Sequence, residues 1–162
     1  MSTHPSLVGA EDFLKRAQSD AVRDVLAYWI SIHPGDRLPA RADFDPLDIP
    51  KSLPSLVLTD VERNPYRFRV RLMGMGVVDA IGRDFTGSYL DEVWPNAEDQ
   101  LLIRHRIEVV ETGLPSYRYG RSPTQFRLDF AALERVFIPF AASGRDVDVI
   151  LSAVTYLQPP SE

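Results

Sequence analysis

Residues 67–95, RFRVRLMGMGVVDAIGRDFTGSYLDEVWP, constrain the fold more than any other stretch. They open as an alternating strand, Arg67 to Met73, which breaks at Gly74 and Gly76. A short apolar helix follows (Val77, Val78, Ala80, Ile81) and stops at Gly82, a residue that accepts the left-handed conformation closing a helix. The chain then runs through Arg83, Asp84, Phe85, Thr86 and Gly87 into a second short apolar segment ending at Trp94-Pro95. A strand passing straight into short helices makes a wall and a lid together. The stretch is read as a small-molecule or regulatory cleft, with the rest of the chain completing its sheet and mounting it on a helix.

The whole chain, at 162 residues, suits one domain with a core of its own. No apolar run approaches the roughly 18 residues of a membrane span, and MSTHPSLVGAEDF lacks the basic start and apolar centre of a signal peptide. There is no cysteine, hence no disulfide and no thiolate site. A net charge of −5 gives no pull towards nucleic acid or anionic lipid. The expectation is a cytoplasmic protein with no nucleic-acid or membrane partner. Residues 1–36 read as a tail and amphipathic helix, 37–157 as the main domain and 158–162 as a disordered tail.

From Glu11 to His33 the pattern is helical, with Leu14, Ala17, Ala21, Val25, Tyr28 and Ile32 on one seam. Val22, Leu26 and Trp29 widen it, and Pro34-Gly35 ends it. The helix packs on its own domain. The breadth of the seam also makes Leu14, Ala21, Val25, Tyr28 and Trp29 candidates for a dimer or partner face. In the proline-rich connector 38–54, Asp45 reads as an N-cap with Pro46 at the first helical position, and Arg41 as salt-bridged to Asp43 or Asp45.

Ser55–Glu62 and Arg67–Met73 form a hairpin around Arg63-Asn64-Pro65-Tyr66. A four-residue loop sets Glu62 opposite Arg67, Asp60 opposite Arg69, Val61 opposite Phe68 and Thr59 opposite Val70. Acidic partners for two of the three strand arginines remove the reading of a phosphate-binding stripe. A second helix, Glu98–Thr112, ends at Gly113 with Ile103, Ile107 and Val110 inward. Strands follow at Pro115–Tyr119, Arg127–Phe140 and Val147–Leu157. The last two are apolar on both faces, so the sheet is covered on both sides.

The order and spacing of Tyr28-Trp29, LPARADFDPLDIP (38–50), RFRVRLMG (67–74), IGRDFTGSYLDEV (81–93), ETGLP (111–115) and ERVFIPF (134–140) resemble the single-domain PAS proteins of alphaproteobacteria. The likeness spans roughly residues 20–157. It implies an α+β fold, a five-stranded antiparallel sheet with a helical lid on one face and an N-terminal helix. It also implies a sensory or regulatory role: binding a small ligand or a protein partner, with the response passing through flanking helices or a homodimer. No output domain is recognisable in the chain.

Residue types narrow the chemistry. Light-sensing members form a flavin–cysteine adduct, which a chain without cysteine excludes. Oxygen-sensing haem members carry a histidine on the longer helix, where His105 stands. A helical wheel sets His105 about 160° from the inward face, so it reads as an exposed histidine and haem is disfavoured. No metal-ligand spacing, nucleophile elbow, phosphate loop or dinucleotide fingerprint occurs, and Asp91-Glu92 reads as a helix start; the chain is read as no enzyme. Candidate cleft residues are Met73, Val77, Ile81, Trp94, Ile103, Ile107, Phe130 and Phe137, with Arg83 and Tyr89 as polar groups to orient a ligand.

Overall fold

Strands β1 (Leu56–Glu62), β2 (Arg67–Met73), β3 (Ser116–Gly120), β4 (Ala132–Phe140) and β5 (Val149–Leu157) form one antiparallel sheet in the order β2-β1-β5-β4-β3. This is a computed structural model that describes residues 2–93, 100–120 and 132–157. The β1–β2 register is the expected one, with Glu62 opposite Arg67, Asp60 opposite Arg69, Val61 opposite Phe68 and Thr59 opposite Val70. A bulge beyond Thr59 leaves Leu58 opposite Leu72. The ion pairs do not follow the register, because the bulge and the lid offer better geometry. Arg67 forks onto Asp91 and also reaches Glu92, while Arg71 pairs with Asp60.

Helices α3 (Met75–Ile81), α4 (Leu90–Val93) and α5 (Gln100–Thr112) cover one face of the sheet. Gly82, at φ +92, ends α3 as its sequence suggests. The lid is tied to the open edge of β2 by backbone bonds from Gly87 N–H to Val70 C=O and from Val70 N–H to Ser88 C=O. These bonds also blunt an edge strand that is otherwise free to pair.

The other face is covered by two helices, where one was expected over Glu11–His33. They are α1 (Pro5–Arg16) and α2 (Asp20–Ile32). The break at 17–19 is made by Glu134 of β4, buried on this face. Its carboxylate accepts the backbone N–H groups of Gln18 and Ser19, both at 2.8 Å, and the Tyr117 hydroxyl at 2.6 Å. The Ser19 side chain caps α2 through Val22 N–H. A carboxylate beside a helix N-terminus also meets the positive end of the helix dipole.

Burial alone raises the Glu134 pKa, and the hydrogen bonds from Ser19, Tyr117 and Gln18 outweigh it, holding the carboxyl below the ordinary glutamate value. Its contribution to stability is therefore complete above the unfolded value of about 4.3 and disappears as pH falls through the depressed folded value. The gap in melting temperature between the wild type and Glu134→Gln is expected to be widest near neutrality and to narrow below about pH 4. A gap that stays constant from neutrality into that acid range contradicts this account.

The α2 face that meets the sheet is Val22, Val25, Leu26 and Trp29, all fully buried, with Trp29 Nε1 donating to Pro139 C=O at 3.1 Å. Val25 and Trp29 thus belong to the chain's own core, which corrects their assignment to a partner face. Leu14, Ala21 and Tyr28 keep partial exposure, and the Tyr28 hydroxyl donates to Asp48. In the connector, Asp45 caps the 3₁₀ turn Pro46–Asp48 through Leu47 N–H, as its position suggests. Arg41 donates to Phe44 C=O at 2.7 Å, and no ion pair joins it to Asp43 or Asp45. Asp43 instead accepts Ala40 N–H.

Candidate functional site

A cavity of about 60 Å³ lies between the sheet and the lid. Its wall is built by alternation, since residues two apart in a strand share a face. Leu133, Arg135 and Phe137 of β4 point into it, as do Val154 and Tyr156 of β5, Val57 of β1 and Val70 of β2. Met73 at the end of β2 joins them, and the lid supplies Val77, Ile81, Phe85 and Leu90. Of the expected cleft residues, Met73, Val77, Ile81 and Phe137 line it. Trp94 and Phe130 lie outside the described residues, as do positions 127–131 of the expected strand.

The longer helix presents a different face from the expected one. Leu102 and Arg106 line the cavity and Val109 is buried, whereas Ile103 and Ile107 are only partly buried at the flank. An apolar count places the two isoleucines inward because the centre of the true inward face is a cation. Its neighbours at one-turn spacing, Leu102 and Val109 with Val110, carry the periodicity that identifies it.

The two polar lid candidates point elsewhere. Arg83 is exposed, its guanidinium over the Phe85 ring at 5.1 Å. The Tyr89 hydroxyl donates to Glu62 at 2.6 Å, and Arg67 stacks on its ring at 3.7 Å. Among the described residues, the polar groups lining the cavity are Arg106 and Arg135, each 4% exposed, together with Tyr156. Both guanidiniums pack on the Phe137 ring, at 4.3 Å for Arg106 and 4.0 Å for Arg135. Sequence does carry a signal for Arg135. Glu134-Arg135 stands in a strand apolar on both faces, so alternation buries one charge on each side.

Arg106 Nη1 donates to Leu102 C=O and Nη2 to Ser152 Oγ, both at 3.2 Å. Arg135 Nη1 donates to Ser116 Oγ and Nη2 to His105 Nδ1, both at 2.9 Å. His105 is therefore half-buried and bonded to Arg135, in place of the exposed histidine expected from the wheel. Burial and then the Arg135 charge lower its pKa, which suits a neutral ring accepting at Nδ1. It does not line the cavity.

Among the described residues no cluster of three or more histidine, aspartate or glutamate side chains could hold a metal ion, and no helix is long and apolar enough to cross a membrane. Asp91 and Glu92 sit at the start of α4, paired with Arg67.

Among curated proteins, none matches the chain in sequence. Solved structures similar to it include a sensory box sensor histidine kinase from Vibrio cholerae, at 13% identity and TM-score 0.49, with 70% of this chain and 90% of that one covered. Another is the light state of the blue-light photoreceptor Aureochrome1 LOV, at 10% identity and TM-score 0.45, with 68% and 87% covered. Residues 17–155 match the PAS domain family. With that match over most of its length, and a five-stranded antiparallel sheet under a helical lid, the chain belongs to the PAS domain family.

Proposed function

We propose that this PAS domain is a sensory module that binds a small organic molecule between sheet and lid and passes its occupancy to the N-terminal helices. The observation that carries the reading is the apolar cavity walled by α3, α5 and β4, with a few convergent polar groups. At roughly 10–15 Å³ per water-sized group, its volume suits a molecule of about four to six non-hydrogen atoms. That is far below a flavin or haem, and His105 outside the lining also speaks against haem.

A route for the signal is supported by β4. Arg135 and Phe137 face the cavity, while Glu134 between two cavity residues faces the other way and holds the α1–α2 junction. A ligand that shifts β4 changes the anchorage of α2 with it. The response then reaches a protein partner through the outer side of α1 and α2, where Leu14, Ala21 and Tyr28 retain exposure. The reading is of binding rather than catalysis, since the lining holds no carboxylate, histidine or serine among the described residues.

Native mass spectrometry of freshly purified protein tests this. A small mass in excess of the chain is expected, lost on denaturation, and the released molecule should raise the melting temperature when returned. Protein that carries no added mass, and whose melting temperature no extract raises, contradicts the proposal. The same spectrum reports whether the chain pairs.

A further inference from the structure

The pairing of arginines in this molecule is inverted with respect to burial. Arg16, Arg23, Arg67 and Arg71 pair with carboxylates at the surface, where an ion pair contributes least. Arg106 and Arg135, the two taken out of water, have no carboxylate within ion-pair reach among the described residues. Glu108 acts on Arg135 only at a distance. A buried, unpaired guanidinium costs several kcal/mol.

The hydrogen-bond inventory sharpens this. Arg106 has five N–H donors, of which one on each Nη reaches a protein oxygen. Its Nε is buried with no hydrogen-bond partner among the described residues. Such a group marks either a defect or a missing acceptor. The Nε edge of a guanidinium is one of the forks that grips a carboxylate with two parallel bonds. Burial, then the like charge of Arg135, push Arg106 down to about 9, so it remains a cation at neutral pH.

We propose that the cavity binds a short-chain carboxylate, its oxygens taking the open Nε–H of Arg106 and a remaining N–H of Arg135, its apolar body of about one to three carbons lying against Val57, Val77, Ile81 and Leu133. This rests on the cavity being the ligand site. A carboxylate fits better than phosphate or sulfate, whose further oxygens would face the aliphatic wall without donors. A neutral ligand would leave both cations uncompensated.

The test follows the Val57 and Val77 methyl resonances and the melting temperature during titration with sodium acetate, propionate and butyrate. Propionamide serves as the uncharged counterpart, and sodium chloride holds ionic strength constant. Saturable methyl shifts with at least one carboxylate and a raised melting temperature are expected, with little response to propionamide. Arg106→Met should weaken carboxylate binding about tenfold or more, the loss of a charged hydrogen bond. Without ligand the same variant should melt no lower than the wild type, because it replaces an unpaired buried charge with an apolar chain of similar length. Arg106→Lys, which keeps the charge but not the fork, should bind with intermediate affinity and is the reading to use if the methionine variant does not fold.

Equal methyl shifts with propionamide, or unchanged carboxylate affinity in both Arg106 variants, overturn the carboxylate assignment and leave the cavity as a ligand site. No response of the cavity methyls to any of these molecules overturns the carboxylate assignment. If the purified protein also carries no ligand mass, the reading of the cavity falls with it.

Discussion

Glu134→Ala is expected to destabilise the protein by about 3 kcal/mol, from the loss of charge-assisted hydrogen bonds worth roughly 1.5–3 kcal/mol each, partly recovered by water reaching the freed groups. In a domain of this size that corresponds to a melting temperature lower by roughly 6–12 °C. Three donors lose their acceptor together: the backbone N–H groups of Gln18 and Ser19 and the Tyr117 hydroxyl. The first two belong to the link between α1 and α2, Ser19 being the N-cap of α2, so this junction should loosen before the sheet does. Hydrogen exchange should show faster exchange over 17–22 and little change in β1 and β5. Glu134→Gln keeps one acceptor oxygen but turns an NH₂ towards a donor, and should fall between the two. An alanine variant as stable as the wild type, with unchanged exchange at 17–22, would remove Glu134 from the account of both fold and signal.

The second large effect is expected at Gly74. Its φ of −66 is open to any residue, and by backbone entropy alone an alanine there would stabilise by up to about 1 kcal/mol. Space reverses the sign. A Cβ at Gly74 would stand 2.4 Å from both Leu53 C=O and Pro54 C=O, and 2.6 Å from the Pro54 carbonyl carbon. All are backbone atoms of the 3₁₀ segment Pro50–Ser55, so no rotamer can relieve the clash. Gly74 cannot retreat either: its N–H donates to Leu56 C=O at 2.7 Å and its C=O accepts from Val77 and Val78. Gly74→Ala should cost about 3 kcal/mol, the upper end of the usual range for overpacking. It should displace α3, and with it Val77 and Ile81 on the cavity wall. Chemical denaturation measures the loss, and a variant of wild-type stability would show that the 3₁₀ segment yields.

Much of the fold is legible from local chemistry. The β1–β2 register follows from a four-residue loop and from residues whose partners lie directly opposite, Val61 with Phe68 and Thr59 with Val70. The lid follows from Gly82, and the covered sheet from strands apolar on both faces. What escapes a local reading is set by residues far away in sequence. Nothing in Ala17-Gln18-Ser19 breaks a helix strongly, and the carboxylate that does so lies 115 positions further on. The inward face of α5 is hidden because its central residue, Arg106, is charged, and a hydrophobic pattern scores it as outward. His105 follows the same error, since it meets Arg135 only once the helix is turned to its true phase. The ion pairs of Arg67 with Asp91 and Glu92 join the strand to the lid, which no strand register anticipates.

The space between β4, α3 and α5 is proposed to be an occupied ligand site in the working protein. A crystal structure at high resolution of protein purified without added ligand tests it most directly. Continuous density for a small organic molecule is expected against Phe137 and Val77, within hydrogen-bonding distance of Arg106 Nε. A cavity holding only water, or closed by its own side chains, with Arg106 Nε bonded to a protein oxygen, would contradict it.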